Sequence, residues 1–275
     1  NNGYFLSSKR RFIVMEVSLV GKKALVGGSS KGIGFGIAKQ LAESGASVCL
    51  MARDVKKMKE IVQTLPSTNS QEHSYLVVDF SDFNSFKNII EDYLNENQID
   101  ILINNTQGVP AGNSLSKSID DYQKAFDVLF KCVVHTSSLA INKMKEKGWG
   151  RIINLTSISV KEPLNYLVLS NSIRAAVVTW GKSLSVDLAP FGVTVNSIIT
   201  GFIDTEHLAH LNEQKSKNMN IPVSEILDGI KKSIPSNRLG KPSEMGELAT
   251  FLASDKASYI TGTAIPIDGG FLRSY

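Results

Sequence analysis

The sequence has no apolar run long enough to cross a bilayer, and its longest apolar stretches have the length of a β-strand. Its 275 residues fit one large α/β domain or two small ones, and its 42% hydrophobic content is enough for a substantial core. Because no repeat, low-complexity tract or linker divides the chain, we predict a single soluble domain over residues 15–275 without a membrane partner.

Cysteine is scarce as well, since Cys49 and Cys132 are the two in the chain and both lie in apolar contexts. So few cysteines are typical of a reducing compartment, and we expect buried free thiols and a cytoplasmic location. A disulfide between the two stays open at this point.

The chain carries little net charge. Of the formal charge of +4, three units come from Lys9, Arg10 and Arg11, in a segment 1–14 that contains no acid. We therefore expect no nucleic-acid partner. Because Met15 precedes a good first strand, we interpret residues 1–14 as a tag or upstream segment, with a trimmed targeting peptide as the alternative.

Short β-branched runs alternate with longer helical patterns along the chain. Strands are predicted at 23–26, 47–51, 74–78, 99–103, 150–155, 194–198 and 264–267. Helices are predicted at 34–44, 55–65, 83–95, 119–145, 174–188 and 243–253. Strands that are apolar throughout and are separated by helices indicate an α/β fold, a doubly wound (Rossmann) parallel sheet of about seven strands with helices on both faces.

One segment departs from this alternation. Residues 205–238 contain no strand pattern, only two helix-like pieces on either side of residues 218–222. This lid segment, as we call residues 205–238, follows the sixth strand, so we expect it to lie over the mouth of a site at the carboxyl ends of the strands.

The first strand is followed by a glycine-rich turn, residues 28–34, with the sequence GSSKGIG. A glycine pattern between a strand and a helix lets the backbone turn tightly and approach a pyrophosphate, which the helix N-terminus then binds. The alternative is a glycine-rich turn of another αβ fold. The predicted nucleotide contacts of this phosphate loop are Gly28, Ser30, Lys31, Gly32, Ile33 and Gly34.

The tip of the second strand indicates which dinucleotide binds. An acid at this position would bind the ribose 2′-hydroxyl, but here Ala52 is followed by Arg53, and Lys31 lies in the phosphate loop. Two cations near the 2′ position can pair with a phosphate, which favours NADP(H) over NAD(H). The alternative is that Arg53 is a solvated surface residue and that Asp54 merely starts the next helix.

Further motifs follow in an order and spacing that resemble the short-chain dehydrogenase/reductase family, over about residues 19–272, and most closely its 3-oxoacyl-carrier-protein reductases. The GxxxGxG spacing of the phosphate loop is that family's variant. The resemblance implies an adenine contact at Asp79 and Phe80 and cofactor contacts at Asn105 and Thr106, although Thr106 and Gln107 depart from the family's Asn-Asn-Ala-Gly.

The segment 195–205 resembles the family's Val-Asn…Pro-Gly…Thr motif, with Thr200 in place of proline. The resemblance implies that Gly201 and the Ile203 backbone hold the nicotinamide carboxamide and that Thr205 reaches the carboxamide or the pyrophosphate. No metal is expected.

The proton-transfer residues are where the chain departs most from the family. The family's catalytic serine corresponds to Ser157, but its tyrosine and lysine correspond to Ser170 and Arg174, and its asparagine to Leu129. A serine hydroxyl is a much weaker acid than a phenol, and a guanidinium does not release its proton. Arg174 can still bind the nicotinamide ribose and bias a nearby acid electrostatically.

Other residues are candidates for the missing acid. Tyr166 lies one helical turn before Ser170 and would share its face if the helix began early. Lys161 and Glu162 follow Ser157 closely and are further candidates. His207 and His210 in the lid segment are spaced for one helix face, which is compatible with a solvated or substrate-lining role or, without a third ligand, a weak metal site.

We therefore expect an NADP(H)-dependent oxidoreductase that reduces a small-molecule carbonyl or oxidises an alcohol with an atypical proton-transfer arrangement. Two alternatives stay open: a catalytically silent NADP(H)-binding regulatory or scaffolding homologue, and a non-redox lyase or cyclase. The long lid segment favours a substrate larger than a simple ketone, such as an acyl-carrier-linked 3-oxoacyl group or a polycyclic ketone. By resemblance, the chain forms a homodimer or homotetramer.

Overall fold

The computed structural model describes residues 17–274, so the predicted upstream segment 1–14 and Met15 lie outside the described residues. Seven strands form one sheet in the order β3-β2-β1-β4-β5-β6-β7, and every neighbouring pair is parallel. The strands are β1 (Lys23–Gly27), β2 (Ser47–Ala52), β3 (Ser74–Val77), β4 (Ile101–Asn104), β5 (Gly150–Ser157), β6 (Val193–Thr200) and β7 (Ala264–Ile267). This order confirms the doubly wound α/β prediction.

Helices cover both faces of the sheet. They are α1 (Gly32–Glu43), α2 (Val55–Thr64), α3 (Phe83–Glu96), α4 (Ile119–Phe126), α5 (Cys132–Lys147), α6 (Val168–Leu188), α7 (Glu206–Met219), α8 (Val223–Ser233) and α9 (Pro242–Ala253). Successive residues of a strand pack into different clusters, because side chains alternate between faces. In β1, for example, Ala24 and Val26 join one core cluster and Leu25 joins the other.

Two helices differ from the sequence prediction. The single helix predicted at 119–145 is divided into α4 and α5 by a π-helical turn at Asp127–Lys131. The helix predicted to begin at residue 174 begins at Val168, and its N-cap, Leu167, has no side-chain capping bond. Neither feature has a local residue signal, because the π turn contains no glycine or proline and the helix start has no polar cap.

The two longest strands extend furthest towards the site. β5 and β6 pair over their full length, and Ser157 lies opposite Thr200 at their carboxyl ends. The chain changes winding direction between β1 and β4, so a crevice opens there at the strand ends. The amide Nδ2 of Asn105 spans it, donating to the Gly27 carbonyl at 3.0 Å.

Both cysteines are buried free thiols, as predicted. In the part of the chain that the structure describes, no helix has the length and apolarity needed to span a bilayer.

Candidate active site

The phosphate loop connects β1 to α1 through two left-handed glycines, Gly28 with φ 55° and Gly32 with φ 57°. Gly34 is required for a different reason, since a Cβ atom there would lie 2.2 Å from the Gly28 carbonyl oxygen. Lys31 is the N-cap of α1, and the first turn of the helix contains no acidic residue. The unpaired N–H groups and the positive end of the helix dipole therefore point into the loop without a competing carboxylate from this turn.

Two side chains fix the shape of this loop, Ser29 within it and Asn105 just after β4. The Ser29 hydroxyl donates to the Val26 carbonyl at 2.8 Å and accepts from the Met51 N–H at 3.0 Å. From β4, Asn105 packs so closely that a Cβ on Gly28 would lie 2.8 Å from its Nδ2. The side chains of Ser30 and Ile33 are half-buried at the same turn. The shape of the loop is thus fixed by contacts with β1, β2 and the end of β4.

Arg53 lies at the tip of β2, where the 2′-phosphate was predicted to bind. Its Nη1 is 3.7 Å from Asp79 Oδ2, and both side chains are exposed. Asp54 caps α2 by accepting from the Lys57 N–H at 2.9 Å, so the first acid after the strand is used by the helix. The position is therefore open to solvent and holds the guanidinium of Arg53 paired with the Asp79 carboxylate.

Asp79 and Phe80 follow β3 on the predicted adenine side. Hydrogen bonds from the hydroxyl and N–H of Ser81 lower the pKa of Asp79, with a smaller contribution from Arg53. The carboxylate stays ionised and 40% exposed, so it can accept a further hydrogen bond. The Phe80 ring is buried against Phe86, with 5.2 Å between centroids.

The β4 end contributes the half-buried Asn105 and Thr106. Thr106 Oγ1 is 3.5 Å from the Gln107 carbonyl, a long contact that leaves the hydroxyl open to other partners. Gln107, which departs from the family's Asn-Asn-Ala-Gly, is half-buried in the same loop.

The loop after β6 presents backbone groups. Ile203 pairs with Gly240 in an isolated parallel bridge. The two hydrogen bonds of this bridge use the chain neighbours of Ile203: the Gly240 N–H donates to the Phe202 carbonyl, and the Asp204 N–H donates to the Gly240 carbonyl. The N–H and C=O of Ile203 itself make no backbone hydrogen bond within residues 17–274. A carboxamide has a complementary acceptor and donor, and so the free pair fits that group.

Gly201 and Thr205 stand on either side of this bridge. A Cβ on Gly201 would lie 2.6 Å from the Asp268 Cα, so this glycine is required by close packing. Thr205 caps α7 through a 3.2 Å bond from the Leu208 N–H. Its Cγ2 would be 3.4 Å from a Cβ on Gly32, which places the start of α7 directly against the phosphate loop.

Ser157 ends β5 with an ordered, half-buried hydroxyl. Its Oγ accepts from the Ser159 N–H at 3.2 Å and from the Ser159 hydroxyl at 2.9 Å. Because both bonds use its lone pairs, the Ser157 proton is left to donate to a ligand. Opposite it in the sheet, the buried Thr200 Oγ1 has no hydrogen-bond partner among the described residues.

Ser170 and Arg174 lie in the first two turns of α6. Arg174 Nη1 donates to the Leu155 carbonyl at 2.6 Å, and no carboxylate of residues 17–274 lies within ion-pair distance of it. Burial lowers the pKa of Arg174 to about 10, so the guanidinium remains charged at neutral pH. Ser170 is half-buried and makes no side-chain hydrogen bond to the described chain, so no neighbouring base activates it.

Leu129 lies in the π turn between α4 and α5 and is 2% exposed. It packs in the core cluster beneath α3 and α5. A buried leucine cannot support the water relay that the family's asparagine implies.

Tyr166 lies two residues before α6, so it is not on the helix with Ser170. Its carbonyl accepts from the Gly112 N–H at 2.7 Å, and its ring lies 5.7 Å from Lys215 Nζ. Partial burial raises the pKa of its phenol. The nearby Glu162 is engaged by the chain's end, since its Oε1 accepts from the N–H groups of Arg273 and Ser274.

The two lid histidines have different surroundings. His210 is exposed and contacts Gln214 at 3.0 Å and Glu213 at 3.9 Å along α7. His207 lies against Gly108, where a Cβ would be 2.8 Å from its Cε1. Sequence reasoning missed this contact because the two residues are far apart in the chain. No group of three possible metal ligands occurs among the residues that the structure describes.

These features together fit a nicotinamide dinucleotide. The glycine loop, the open α1 terminus and the free backbone pair of Ile203 line one continuous edge of the sheet. Arg174 adds a cation with spare donors at the position predicted to bind ribose.

Comparison with known proteins agrees with this geometry. A family model described as enoyl-(acyl carrier protein) reductase matches residues 28–272. The chain is 33% identical over 258 residues to the 3-oxoacyl-[acyl-carrier-protein] reductase FabG of Chlamydia pneumoniae, covering 93% of this chain and 99% of that protein.

Two solved structures share the fold over nearly the whole chain. YwfH, an NADPH-dependent reductase involved in bacilysin biosynthesis, superposes with a TM-score of 0.86 at 30% identity, over 92% of this chain and 99% of that one. L-Sorbose reductase from Gluconobacter frateurii, complexed with NADPH and L-sorbose, gives 0.88 at 26% identity, over 95% and 100%. The chain therefore belongs to the short-chain dehydrogenase/reductase family of NAD(P)-dependent oxidoreductases.

Proposed function

We propose that this protein is an NADP(H)-dependent reductase of small-molecule carbonyl compounds, or in reverse an alcohol dehydrogenase, that takes its proton from a group other than Ser170. The observation that carries the proposal is the combination of an open phosphate loop with a Ser157 hydroxyl whose proton is free to donate. When bound, the nicotinamide would supply the hydride.

The residues of the chain divide the remaining work. Ser157 donates a hydrogen bond to the substrate oxygen and stabilises the negative charge that develops there. Arg174 binds the nicotinamide ribose and adds positive charge beside the reacting oxygen. Ser170 lines the site without a base, and Tyr166, with its raised pKa, is poorly tuned for proton transfer near neutral pH.

Preference for NADP(H) is part of the proposal and rests on Arg53 and Lys31. Each now forms an exposed ion pair, Arg53 with Asp79 and Lys31 with Glu206. Such pairs contribute only about 0–1 kcal/mol, so a phosphate group can displace them at little cost. A doubly charged 2′-phosphate then gains bonds that a 2′-hydroxyl cannot make.

Self-association is a second part of the proposal. Phe126 at the end of α4 is 37% exposed and stacks on Phe130 with 5.1 Å between centroids, while Phe130 meets Trp180 of α6 edge-on at 6.2 Å. This aromatic row favours a homodimer or homotetramer through the α4–α6 face. Light scattering should show a dimer or larger, and a monomer at micromolar concentration would contradict it.

The test of the function compares four purified proteins with NADPH and a carbonyl panel that includes a 3-oxoacyl thioester and a ketose. Ser157→Ala should lower kcat/KM by about 100-fold without weakening NADPH binding, because it removes a transition-state hydrogen bond. Ser170→Ala should keep most of the activity. Ser138→Ala, an exposed serine on α5, serves as the control.

Tight NADPH binding without turnover of any panel member by the wild-type protein would overturn the reductase assignment. That outcome would favour the silent NADP(H)-binding homologue.

A further inference from the structure

The first residues of α7 lie across the cleft between the phosphate loop and the loop after β4. Thr205 packs against Gly32, Glu206 pairs with Lys31 at 2.7 Å, and His207 lies against Gly108. Three successive residues of the lid segment thus contact the two loops that border the cofactor cleft. His207 is itself exposed at this border, with its imidazole against Gly108.

Gly108 provides the room for this ring. Its φ is not in the left-handed region, so backbone conformation does not require glycine there. A Cβ atom at 108 would instead lie 2.8 Å from Cε1 and 3.0 Å from Nε2 of His207. A larger residue would therefore require the imidazole to move from its present place.

The ring nitrogens of His207 are available for chemistry. Neither forms a hydrogen bond with any residue in the range 17–274. The charged groups that act on the ring come from three elements: Arg174 on α6, Lys31 in the phosphate loop and His210 on α7. The neighbouring carboxylates are engaged elsewhere, Glu206 by Lys31 and Glu213 by His210.

The other candidates for the proton donor are less suited. Ser170 has no base, the Arg174 guanidinium keeps its proton, and Glu162 is occupied by the chain's C-terminal residues. Tyr166 is held on the loop before α6, with a phenol whose pKa is raised. A histidine titrates near neutrality and transfers protons in both directions.

We infer that His207 donates the proton to the substrate oxygen during carbonyl reduction and accepts it during alcohol oxidation. The inference rests on the proposed function. In reduction, the carbonyl carbon receives a hydride with its electron pair from the reduced nicotinamide. The C=O π pair moves to oxygen, which takes the proton from the His207 imidazolium. The imidazole is left neutral and regains its proton from solvent.

The surroundings fix the direction of the pH dependence. Desolvation of the ring where it packs against the loop after β4 is the main cause that lowers the pKa of His207, although the residue as a whole is exposed, and the positive charges of Arg174, His210 and Lys31 lower it further. The donor form therefore disappears as pH rises through a value below the usual 6.5. As pH rises through this pKa, the rate of reduction should fall and the rate of oxidation should rise. We call this part of the pH–rate profile the pH limb.

The kinetic test compares His207→Gln with the matched control His210→Gln, one helical turn further along α7. His207→Gln should lower kcat/KM for reduction by about 100-fold or more and abolish the pH limb, while the NADPH Kd changes by less than about threefold. His210→Gln and Tyr166→Phe should keep the rate within about threefold and retain the pH dependence, which His210→Gln should move to slightly higher pH because it removes a positive charge near His207. An unchanged rate and pH profile in His207→Gln would overturn the donor role while leaving the reductase function intact.

A second readout does not depend on turnover. The imidazole resonance of His207, identified by its loss in His207→Gln, should titrate below the usual histidine range in the free protein. NADP⁺ should raise that pKa, because phosphate groups enter beside the ring. A resonance that NADP⁺ leaves unmoved would place His207 outside the cofactor cleft and overturn the inference. Wild-type protein that binds NADPH but reduces no carbonyl would remove the reductase function and the donor role together.

Discussion

The two halves of the cleft are held by different kinds of constraint. At the β1 end, Gly28, Gly34, Ser29 and Asn105 are packed so tightly that one additional carbon atom on either glycine would collide with its neighbours. At the β5 end, Ser170 makes no side-chain hydrogen bond to the described chain and Arg174 makes a single one, to a backbone carbonyl.

The difference reflects what each half has to do. Binding a pyrophosphate by backbone N–H groups requires a particular loop shape, and few residues permit that shape. Proton transfer requires a group of suitable pKa within reach of the substrate, and such a group can come from any element that borders the cleft. Under the proposed function, a departure from the family's residues would disable the first half, whereas in the second half it would move the proton transfer to another group.

The largest effect is expected from Gly34→Ala, which tests the first half. The new Cβ would lie 2.2 Å from the Gly28 carbonyl oxygen, and a backbone atom cannot rotate away as a side chain can. We expect the loop to shift, NADPH affinity to fall by about 100-fold or more, and the free energy of unfolding to drop by about 1–3 kcal/mol. Fluorescence titration and thermal unfolding measure the two.

The matched control is Gly229→Ala in α8, where an added Cβ meets nothing within 4 Å. It should bind NADPH normally and gain up to about 1 kcal/mol from improved helix propensity. Normal NADPH affinity in Gly34→Ala would show that the loop tolerates another shape and would remove the contrast between the two halves.

Most of the fold could be predicted from the sequence because its signals are local. The seven strands are short apolar runs, and the phosphate loop has its glycines at a fixed spacing. The division of helix 119–145 could not be predicted, since a π turn adds one residue to a helical turn without a characteristic residue type. The start of α6 was predicted six residues late because Leu167 provides no capping side chain.

The candidate site divides in the same way. The phosphate loop follows from sequence, whereas the free backbone pair of Ile203 depends on its pairing with Gly240, 37 residues further along the chain. The contact between His207 and Gly108 is longer in range still. The available signal was Gly108, a glycine whose backbone conformation does not require glycine. That signal can be interpreted only when the structure shows that the His207 imidazole lies against it.

A smaller effect is expected from Arg53→Ala, which sharpens the role of the β2 tip. Loss of the guanidinium should weaken NADPH binding by about tenfold, on the order of 1.4 kcal/mol, and leave NADH binding unchanged within about twofold. Lys57→Ala, an exposed lysine on α2, serves as the charge-matched control. If both coenzymes lose affinity equally, Arg53 contributes a general attraction and the 2′-phosphate preference lies elsewhere.

The smallest effect is expected where the two halves meet, at the pair of Glu206 with Lys31. Both side chains are largely exposed, 74% and 63%, so the pair itself contributes about 0–1 kcal/mol. Glu206→Gln frees Lys31 for the cofactor phosphates and should tighten NADPH binding by up to about fivefold at low salt, with the gain lost near 1 M salt as charges are screened. Glu213→Gln on the same helix controls for net charge. If Glu206→Gln instead binds NADPH more weakly, the Glu206 carboxylate holds α7 over the bound cofactor. In that case, losing this contact weakens NADPH binding by more than removing a competitor for Lys31 strengthens it.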